Sequence, residues 1–214
     1  MSNCPLCQNI PFEKYHHDSV RGYNFCPMCN LVFVKPEHLY SLTQEKQIYD
    51  CHQNNPNDMA YRKHLSKLAT PLIEKLSPQS SGLDFGSGPG PTLSLMLAEQ
   101  GFKMSIYDPI YANAKSVLKP QQPYNFITMT EVIEHIYHPE KELDMLWDIL
   151  QKGGWLAIMT SMNEGKEFFK NWHYTKDPTH VRFYSKQTFT WLANKYNAKL
   201  EYPCDNVIFL QKQG

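Results

Sequence analysis

Three glycines alternate with other residues at one point of the chain, and their spacing could bind a nucleotide. Gly86, Gly88 and Gly90 follow the apolar run 83–85 and precede a helical pattern that begins at Thr92. An apolar run, a glycine-rich turn and a helix in that order predict a strand that leads into a tight turn beneath a helix N-terminus. Glycine suits such a turn because a Cβ atom would keep the backbone away from a ligand, and because the turn often needs a positive φ.

Two common nucleotide motifs do not fit this turn. The dinucleotide motif is G-x-G-x-x-G, but Pro91 occupies its third glycine position and Gly90 comes one residue early. The phosphate-binding loop G-x-x-x-x-G-K-[ST] fails because no Gly-Lys-Ser or Gly-Lys-Thr follows. Asp84 precedes the first glycine by two residues, which gives D-x-G-x-G-x-G. That pattern resembles motif I of the class I S-adenosylmethionine (SAM) dependent methyltransferases.

A second predicted strand also ends in an acid. Residues 103–107 alternate in polarity and lead to Asp108, roughly 20 residues after the glycine turn, where a carboxylate accepts hydrogen bonds from ribose hydroxyls. We therefore predict that both segments contact SAM. The predicted cofactor contacts here are Asp84, Gly86, Ser87, Gly88, Gly90, Asp108 and Pro109.

An acidic block follows a further predicted strand, residues 126–129. The block T-E-V-I-E-H-I-Y-H-P begins at Thr130 and resembles the segment after the fourth strand of ubiquinone-type O-methyltransferases and their wider family. In an open parallel sheet, ligands bind outside the carboxyl ends of the strands at which the winding order reverses. Thr130 and Glu131 are therefore predicted cofactor contacts, and the segment up to His135 is predicted to face the sulfonium and the acceptor.

Three histidines are candidate catalytic bases: His135, His173 and His180. Methyl transfer displaces sulfur from an activated carbon, so the protein mainly holds acceptor, methyl group and sulfur in line. A base is needed only if the acceptor has a proton to lose, and imidazole can take that proton near neutral pH. His180 is the preferred candidate because its D-P-T-H turn lies in the long segment 161–184 at the ligand end of the sheet. Each of the three histidines could instead be structural.

Four cysteines form two C-x2-C pairs near the N-terminus, Cys4 with Cys7 and Cys26 with Cys29. Four thiolates at this spacing converge on one tetrahedral Zn²⁺. A ribbon over residues 1–36 is too small to bury an adequate core, so the metal would supply much of its folding free energy. Because four sulfur ligands leave no open coordination position, we predict a structural Zn²⁺.

The overall composition indicates a cytoplasmic protein without a preference for nucleic acid. Lysine plus arginine and aspartate plus glutamate number 21 each, so the chain as a whole does not attract nucleic acid or an anionic membrane. The predicted ribbon has no basic cluster, which argues against RNA binding. Neither a membrane-spanning apolar run nor an N-terminal signal region is present in the sequence. The oligomeric state stays open.

The remaining pattern predicts how these residues are positioned. We expect a zinc ribbon over 1–36, a linker or lid over 37–57, and a catalytic domain over 58–214. A helix from Asn57 or Asp58 should be kinked or restarted by Pro71. The helix over 140–150 should end at Gly153 and Gly154. The last two strands should form an antiparallel hairpin over 199–202 and 207–210.

Residues 110–124 contain no convincing third strand and no acid to hold the adenine amino group, so the adenine contact is unassigned. We therefore predict an α/β fold: a Rossmann-like class I methyltransferase sheet of seven strands or fewer with an antiparallel last strand, plus the small N-terminal zinc ribbon.

Together, the motifs resemble a bacterial family of zinc-knuckle class I methyltransferases whose acceptor is undefined. They are C-x-x-C-x-L-V-F-V-x-P, L-D-F-G-S-G-P-G-P, Y-D-P, E-V-I-E-H and D-P-T-H-V-x-F-Y-S. The resemblance implies SAM as methyl donor and S-adenosylhomocysteine as product. Methylation of a small molecule, such as a quinol, a sugar or another metabolite, is the first hypothesis. The alternatives are an RNA or protein methyltransferase that uses the ribbon for recognition, and a SAM-binding regulatory protein without turnover.

Overall fold

The structure, a computed structural model, describes residues 3–51, 55–119, 121 and 123–214. The strands are β1 (Glu13–His17), β2 (Gly22–Phe25), β3 (Val32–Val34), β4 (Ser81–Phe85), β5 (Lys103–Tyr107), β6 (Tyr124–Thr130), β7 (Leu150–Met159), β8 (Arg182–Phe183), β9 (Ala198–Cys204) and β10 (Val207–Lys212). The α-helices are α1 (Leu42–Tyr49), α2 (Met59–Ile73), α3 (Thr92–Glu99), α4 (Pro139–Ile149), α5 (Lys166–Phe169) and α6 (Lys186–Lys195). Short 3₁₀ helices cover Pro36–His38, Lys115–Leu118, Ile133–His135 and His173–Lys176.

The central sheet is mixed and has six strands in the order β5-β4-β6-β7-β10-β9. β4 pairs in parallel with both β5 and β6, and β6 pairs in parallel with β7. β10 is antiparallel to β7 and to β9, which confirms the predicted antiparallel hairpin. Between β5 and β6 the described residues form a 3₁₀ helix and no strand of this sheet, so the reduced alternative is the correct one. The winding order reverses at β4 and β6, whose carboxyl ends therefore flank a crevice.

A second sheet joins the N-terminal region to the rest of the chain. Its order is β1-β2-β3-β8, and β8 comes from the C-terminal half. β3 and β8 are antiparallel, with Val32 opposite Phe183 and Phe33 opposite Arg182. The buried cysteines of the N-terminal region share one hydrophobic cluster with strands β4, β6 and β7. The N-terminal region therefore packs directly against the central sheet.

Helix α2 passes through Pro71 as one continuous element, so the predicted restart is wrong. A proline lacks the N–H that would bond to the carbonyl four residues earlier, here that of Lys67. The Cys204 thiol donates to the Lys67 carbonyl instead, at 3.6 Å. Leu68 and Leu72 are fully buried on either side of the proline, so packing holds the helix together.

The predicted end of α4 at Gly153 and Gly154 is also wrong. The helix ends at Ile149, and β7 begins at once, with both glycines inside the strand. Leu150 pairs with Tyr124 of β6, and the register then shifts before the next pair. A Cβ atom on Gly154 would lie 2.8 Å from the Asn125 carbonyl oxygen, so the shifted strand requires glycine there.

The segment predicted as a linker or lid contains helix α1. Ser41 and Gln44 form a capping box at its start: the Ser41 hydroxyl accepts from the Gln44 amide, and the Gln44 side chain accepts from the Ser41 amide. Residues 52–54 of the predicted linker lie outside the described residues. No helix in the described part of the chain is both long enough and apolar enough to span a bilayer.

Candidate active site

A cavity of about 550 Å³ opens at the carboxyl ends of β4 and β6, a size typical of small-ligand sites. The glycine turn, the end of β5 and the block after β6 form its floor, and α1 and residues of the long segment before β8 complete it. Of the predicted cofactor contacts, the cavity lining includes Asp84, Gly86, Ser87, Gly88, Gly90, Asp108, Pro109, Thr130 and Glu131. The fold thus brings all nine together.

The glycine turn needs glycine for two measurable reasons. Gly86 and Gly88 have φ values of 78° and 63°, which residues with a side chain rarely adopt. A Cβ atom on Gly86 would lie 2.5 Å from a methyl carbon of Val132. The amides of Gly86 and Ser87 both donate to the Tyr107 carbonyl, at 2.7 and 3.2 Å, so the turn is fixed to the end of β5.

Asp108 ties the second strand to the same turn. Its Oδ2 accepts from the Gly88 amide at 3.0 Å. Its Oδ1 accepts from the amides of Ile110 and Tyr111 at 2.8 and 2.9 Å. The carboxylate is held rigidly at the cavity wall, and Oδ2, which accepts only one of these hydrogen bonds, keeps acceptor capacity for a ligand hydroxyl.

Asp84 lies beneath the turn and is 4% exposed. Thr128 donates its hydroxyl to Oδ1 at 2.7 Å. Burial raises the Asp84 pKa to about 6, although the Thr128 and Ser94 hydrogen bonds oppose the rise. Asp84 therefore supports the turn from below and borders the cavity.

Two buried hydroxyls at the cavity have no hydrogen-bond partner among the described residues: Ser87 Oγ and Thr130 Oγ1. Buried polar groups are normally paired, so unpaired ones at a cavity wall indicate where a polar ligand binds. One hydroxyl follows the first glycine and the other ends β6. Together with the glycine turn and Asp108, they fit a bound SAM.

The block after β6 forms a carboxyl pair, of which Glu131 was predicted from the sequence as a cofactor contact and Glu134 was not. The Tyr174 hydroxyl contacts Oε1 of Glu134 and Oε2 of Glu131, the latter at 3.1 Å, and Thr160 donates to Glu134 at 3.0 Å. Glu134 is fully buried, and burial together with the Glu131 charge raises its pKa well above the ordinary value. Hydrogen bonds from His64, Glu134 and Tyr174 outweigh burial and lower the Glu131 pKa. The two shifts run in opposite directions, so Glu134 is the carboxyl of the pair that holds a proton more strongly.

Two of the three candidate bases meet at the cavity. The rings of His135 and His180 lie with centroids 4.8 Å apart. Nδ1 of His180 lies 2.7 Å from the Tyr174 carbonyl, and Nδ1 of His135 lies 3.1 Å from the Thr179 carbonyl. A carbonyl accepts only, so each Nδ1 carries the proton and each Nε2 has a lone pair. Nε2 of His180 lies 3.8 Å from Oδ2 of Asp177. Burial lowers both pKa values, that of His135 to about 4 with help from the His180 charge.

The structure does not bring His173 to this site. Trp172, just before the 3₁₀ helix, and Tyr174, inside it, are buried, whereas His173 between them is exposed. His173 borders a different, larger and more open cavity of about 1010 Å³ beside the N-terminal strands. None of the glycine-turn residues lines that cavity.

An N-terminal arginine holds the loop that carries His180. Arg21 is 4% exposed, and its guanidinium donates to the backbone carbonyls of Pro178 and His180 at 3.0 and 3.1 Å. It also donates to the carbonyls of Asp177, at 3.1 Å, and Thr175. The N-terminal sheet thereby fixes the position of a candidate base.

The four knuckle cysteines converge as predicted. Sγ of Cys4 lies 3.6 Å from Sγ of Cys29, and Sγ of Cys7 lies 3.5 Å from that of Cys26. All four sulfurs lie within 4.8 Å of one another, and sulfurs around a tetrahedral Zn²⁺ are about 3.8 Å apart. The geometry therefore fits a four-sulfur zinc site.

Glu134, His135 and His180 form a second group that could ligate a cation, with one atom of each within 4.8 Å of the others. Both oxygens of Glu134 already accept hydrogen bonds from Tyr174 and Thr160. We therefore assign Glu134 to this hydrogen-bond network and not to a metal.

Several cavity residues were not among the site residues predicted from the sequence: Glu45, Tyr49, Tyr61, Tyr137 and Asp177. Glu45 and Tyr49 are four residues apart on α1, so one helix face presents both. The Tyr49 hydroxyl oxygen lies 3.2 Å from Nδ1 of His135. A helical reading of the segment 37–57 would have found this pair.

Comparison with known proteins agrees with the geometry. Residues 60–202 match the sequence profile of a family described as methyltransferase domain. No curated protein matches the chain significantly.

Three solved structures show the same fold at low identity. A candidate methyltransferase of Bacillus halodurans has a TM-score of 0.51 at 18% identity, over 64% of this chain and 70% of that chain. A candidate SAM-dependent methyltransferase of Methanococcus maripaludis has a TM-score of 0.52 at 14% identity, over 80% and 93%. A SAM-dependent methyltransferase of Archaeoglobus fulgidus has a TM-score of 0.50 at 17% identity, over 66% and 72%. Because the family match extends over well more than half of the sequence, this chain belongs to the methyltransferase domain family and is an enzyme with the SAM-dependent methyltransferase fold.

Proposed function

We propose that this enzyme transfers the methyl group of SAM to a small-molecule acceptor bound next to His180. The observation that carries the proposal is the single cavity that joins the glycine turn and Asp108 to the paired histidines. Helix α1 contributes Leu42, Glu45 and Tyr49 to the lining, so it forms one side of the cavity. A walled cavity of about 550 Å³ favours a metabolite over a folded macromolecule.

The cofactor half of the cavity is formed by the glycine turn and the strand ends. SAM supplies a methyl carbon activated by positive sulfur. The Asp108 carboxylate would accept hydrogen bonds from ribose hydroxyls, as charge-assisted bonds. The unpaired hydroxyls of Ser87 and Thr130 would bond to the polar groups of the amino-acid portion. Glu131 and Pro109 complete this half of the lining.

His180 is the proposed base for an acceptor that must lose a proton. Its Nδ1–H donates to the Tyr174 carbonyl, which fixes the ring and leaves the Nε2 lone pair to accept that proton. Burial lowers the His180 pKa, so the ring is neutral and able to act as a base at neutral pH. His135 packs against it and holds the same tautomer.

We further propose that the N-terminal region, residues 1–36, is a structural zinc module and not a recognition module. Cys4, Cys7, Cys26 and Cys29 would hold Zn²⁺, which supplies folding free energy to a region with little core of its own. The module would then present Arg21 to the backbone of the loop 175–180 and so position His180. Residues 37–57 would form the lid and residues 58–214 the catalytic domain.

The test is methyl transfer from labelled SAM into fractionated cell extract by the zinc-replete protein. We expect label in small molecules that resist nuclease and protease. Label in a nuclease-sensitive or protease-sensitive fraction would instead support the RNA or protein alternative. SAM binding without transfer to any fraction would support the regulatory alternative.

A matched pair of variants tests the role of His180. We expect His180→Ala to abolish turnover while SAM affinity holds, and His173→Ala to leave turnover unchanged because that ring is exposed outside the cavity. Unchanged turnover in His180→Ala would remove this residue from the mechanism.

A further inference from the structure

The carboxylate of Glu45 is buried in the cavity wall without a full set of partners. Glu45 is 5% exposed, and its Oε1 atom has no hydrogen-bond partner among the described residues. A hydrogen bond with Tyr137 opposes the effect of burial on the Glu45 pKa, which burial still raises. No ion pair of Glu45 is found within the described part of the chain. A buried acid in this state is unfavourable unless something else binds it.

The position of Glu45 on α1 places it toward the acceptor half of the cavity. At the C-terminal end of the helix, Asp50 accepts from the Tyr111 hydroxyl at 2.7 Å, beside the turn that holds Asp108. One residue earlier, Tyr49 contacts His135. Glu45 lies one turn before Tyr49, next to Tyr137. Helix α1 therefore runs from the cofactor half to the acceptor half, and Glu45 is on the acceptor side.

The charge of the cavity has one sign. Among the described residues that line it, none is lysine or arginine. Its acidic members are Glu45, Asp84, Asp108, Glu131, Glu142 and Asp177. The adjacent Arg182 bonds to the carbonyls of Val181 and Tyr137, so it does not neutralise Glu45. An anionic acceptor, such as a phosphate ester or a carboxylate, would enter this cavity against repulsion.

We infer that the acceptor carries a cationic nitrogen group, an ammonium or a guanidinium, that pairs with Glu45. This inference rests on the proposed function and adds the chemical class of the acceptor. The rings of Tyr49 and Tyr137 border the same part of the cavity and can stabilise a cation over their faces. The positive group donates to Oε1 of Glu45, and the pair leaves no uncompensated charge in the wall.

The first experiment sorts the labelled product by charge. Zinc-replete protein is incubated with methyl-labelled SAM and cell extract, unreacted SAM is separated from the labelled products by chromatography, and the labelled small-molecule products are passed over a cation exchanger at pH 7. Retained label supports the inference. Label in the flow-through, or label retained by an anion exchanger, overturns the inference and leaves the proposed function intact. Absence of label overturns the proposed function and the inference with it.

The second experiment uses the retained fraction as acceptor with Glu45→Gln. We expect KM for this fraction to rise about tenfold or more, as for a lost charge-assisted hydrogen bond, with kcat and SAM affinity unchanged. The matched control is Glu37→Gln, whose side chain is 61% exposed outside the cavity. A KM equal to that of the control overturns the inference. An equal loss of SAM affinity also overturns it, because Glu45 would then bind the cofactor.

Discussion

Replacing Asp108 by asparagine should weaken cofactor binding strongly while leaving the fold in place. The asparagine side chain keeps one oxygen, which can accept from the backbone N–H groups of Ile110 and Tyr111. Its NH₂ group then lies opposite the Gly88 N–H, where two donors face each other. The substitution also removes the charge from the acceptor offered to the ribose. Hydrogen bonds to a charged group contribute about 1.5–3 kcal/mol, and about 1.4 kcal/mol corresponds to a tenfold change in Kd. We therefore expect Kd to rise roughly tenfold to a hundredfold.

Isothermal calorimetry with S-adenosylhomocysteine measures this change, and circular dichroism checks that the variant is folded. The matched control is Asp148→Asn, because Asp148 is an exposed acid on α4 outside the cavity. A folded Asp108→Asn protein with the affinity of the control would refute the assignment of Asp108 to the cofactor.

Three further predictions test the zinc module, its link to the loop and the base. Removal of zinc by a chelator should lower Tm for the whole chain by roughly 10 °C or more. The reason is that the cysteines share a core cluster with the central sheet. A main calorimetric transition at an unchanged temperature would contradict this prediction. Arg21→Met should lower kcat by roughly tenfold to a hundredfold, because small misplacements of catalytic groups have such effects. SAM affinity, measured by calorimetry, should be unchanged. An unchanged kcat would show that the loop carrying His180 does not need Arg21 to hold its position. The His180 imidazole should titrate below its ordinary pKa of 6.5, because burial disfavours the charged ring. The titration can be followed by NMR, with the His180 resonance assigned as the one that is lost in His180→Gln. A titration midpoint at or above pH 6.5 would contradict a buried neutral base.

The parts of the site that follow from local rules were predictable from the sequence. A glycine turn after a strand needs backbone freedom that only glycine offers, so Gly86 and Gly88 mark it in the sequence. The acid at the end of the next strand follows from the same βαβ geometry, and Asp108 lies there. The C-x2-C pairs converge because their spacing suits one metal ion. In each case the chemistry requires a fixed residue type at a fixed spacing.

The parts that depend on tertiary packing were not predictable. Helix α1 is short and polar, and its apolar residues are only weakly segregated to one face, so the sequence of this segment indicated a linker. Its folding depends on the capping box and on contacts such as that of Tyr49 with His135. Glu134 and Tyr174 are 40 residues apart in sequence and meet only in the folded chain. His173 has the residue type of a base, but its neighbours take the buried positions.

Two places where the secondary structure differs from the prediction have tertiary causes as well. Pro71 stays inside α2 because the Lys67 carbonyl, which Pro71 leaves unpaired, accepts a hydrogen bond from the thiol of Cys204. Cys204 comes from the far end of the chain. Gly153 and Gly154 do not stop α4, because the pairing of Leu150 with Tyr124 begins a strand before they are reached. Local propensity favoured a break at each place, and long-range contacts prevailed.

If the cavity holds SAM and an acceptor together in one turnover, the two products of methyl transfer must form in equal amounts. Mass spectrometry would follow S-adenosylhomocysteine while label is followed into the small-molecule fraction. We expect equal amounts of both products with the wild-type protein. We expect neither product with Gly86→Val, because a side chain at this position collides with Val132 and the φ of 78° is strained for valine. Tight SAM binding with no S-adenosylhomocysteine formed in any extract fraction would contradict methyl transfer in this cavity.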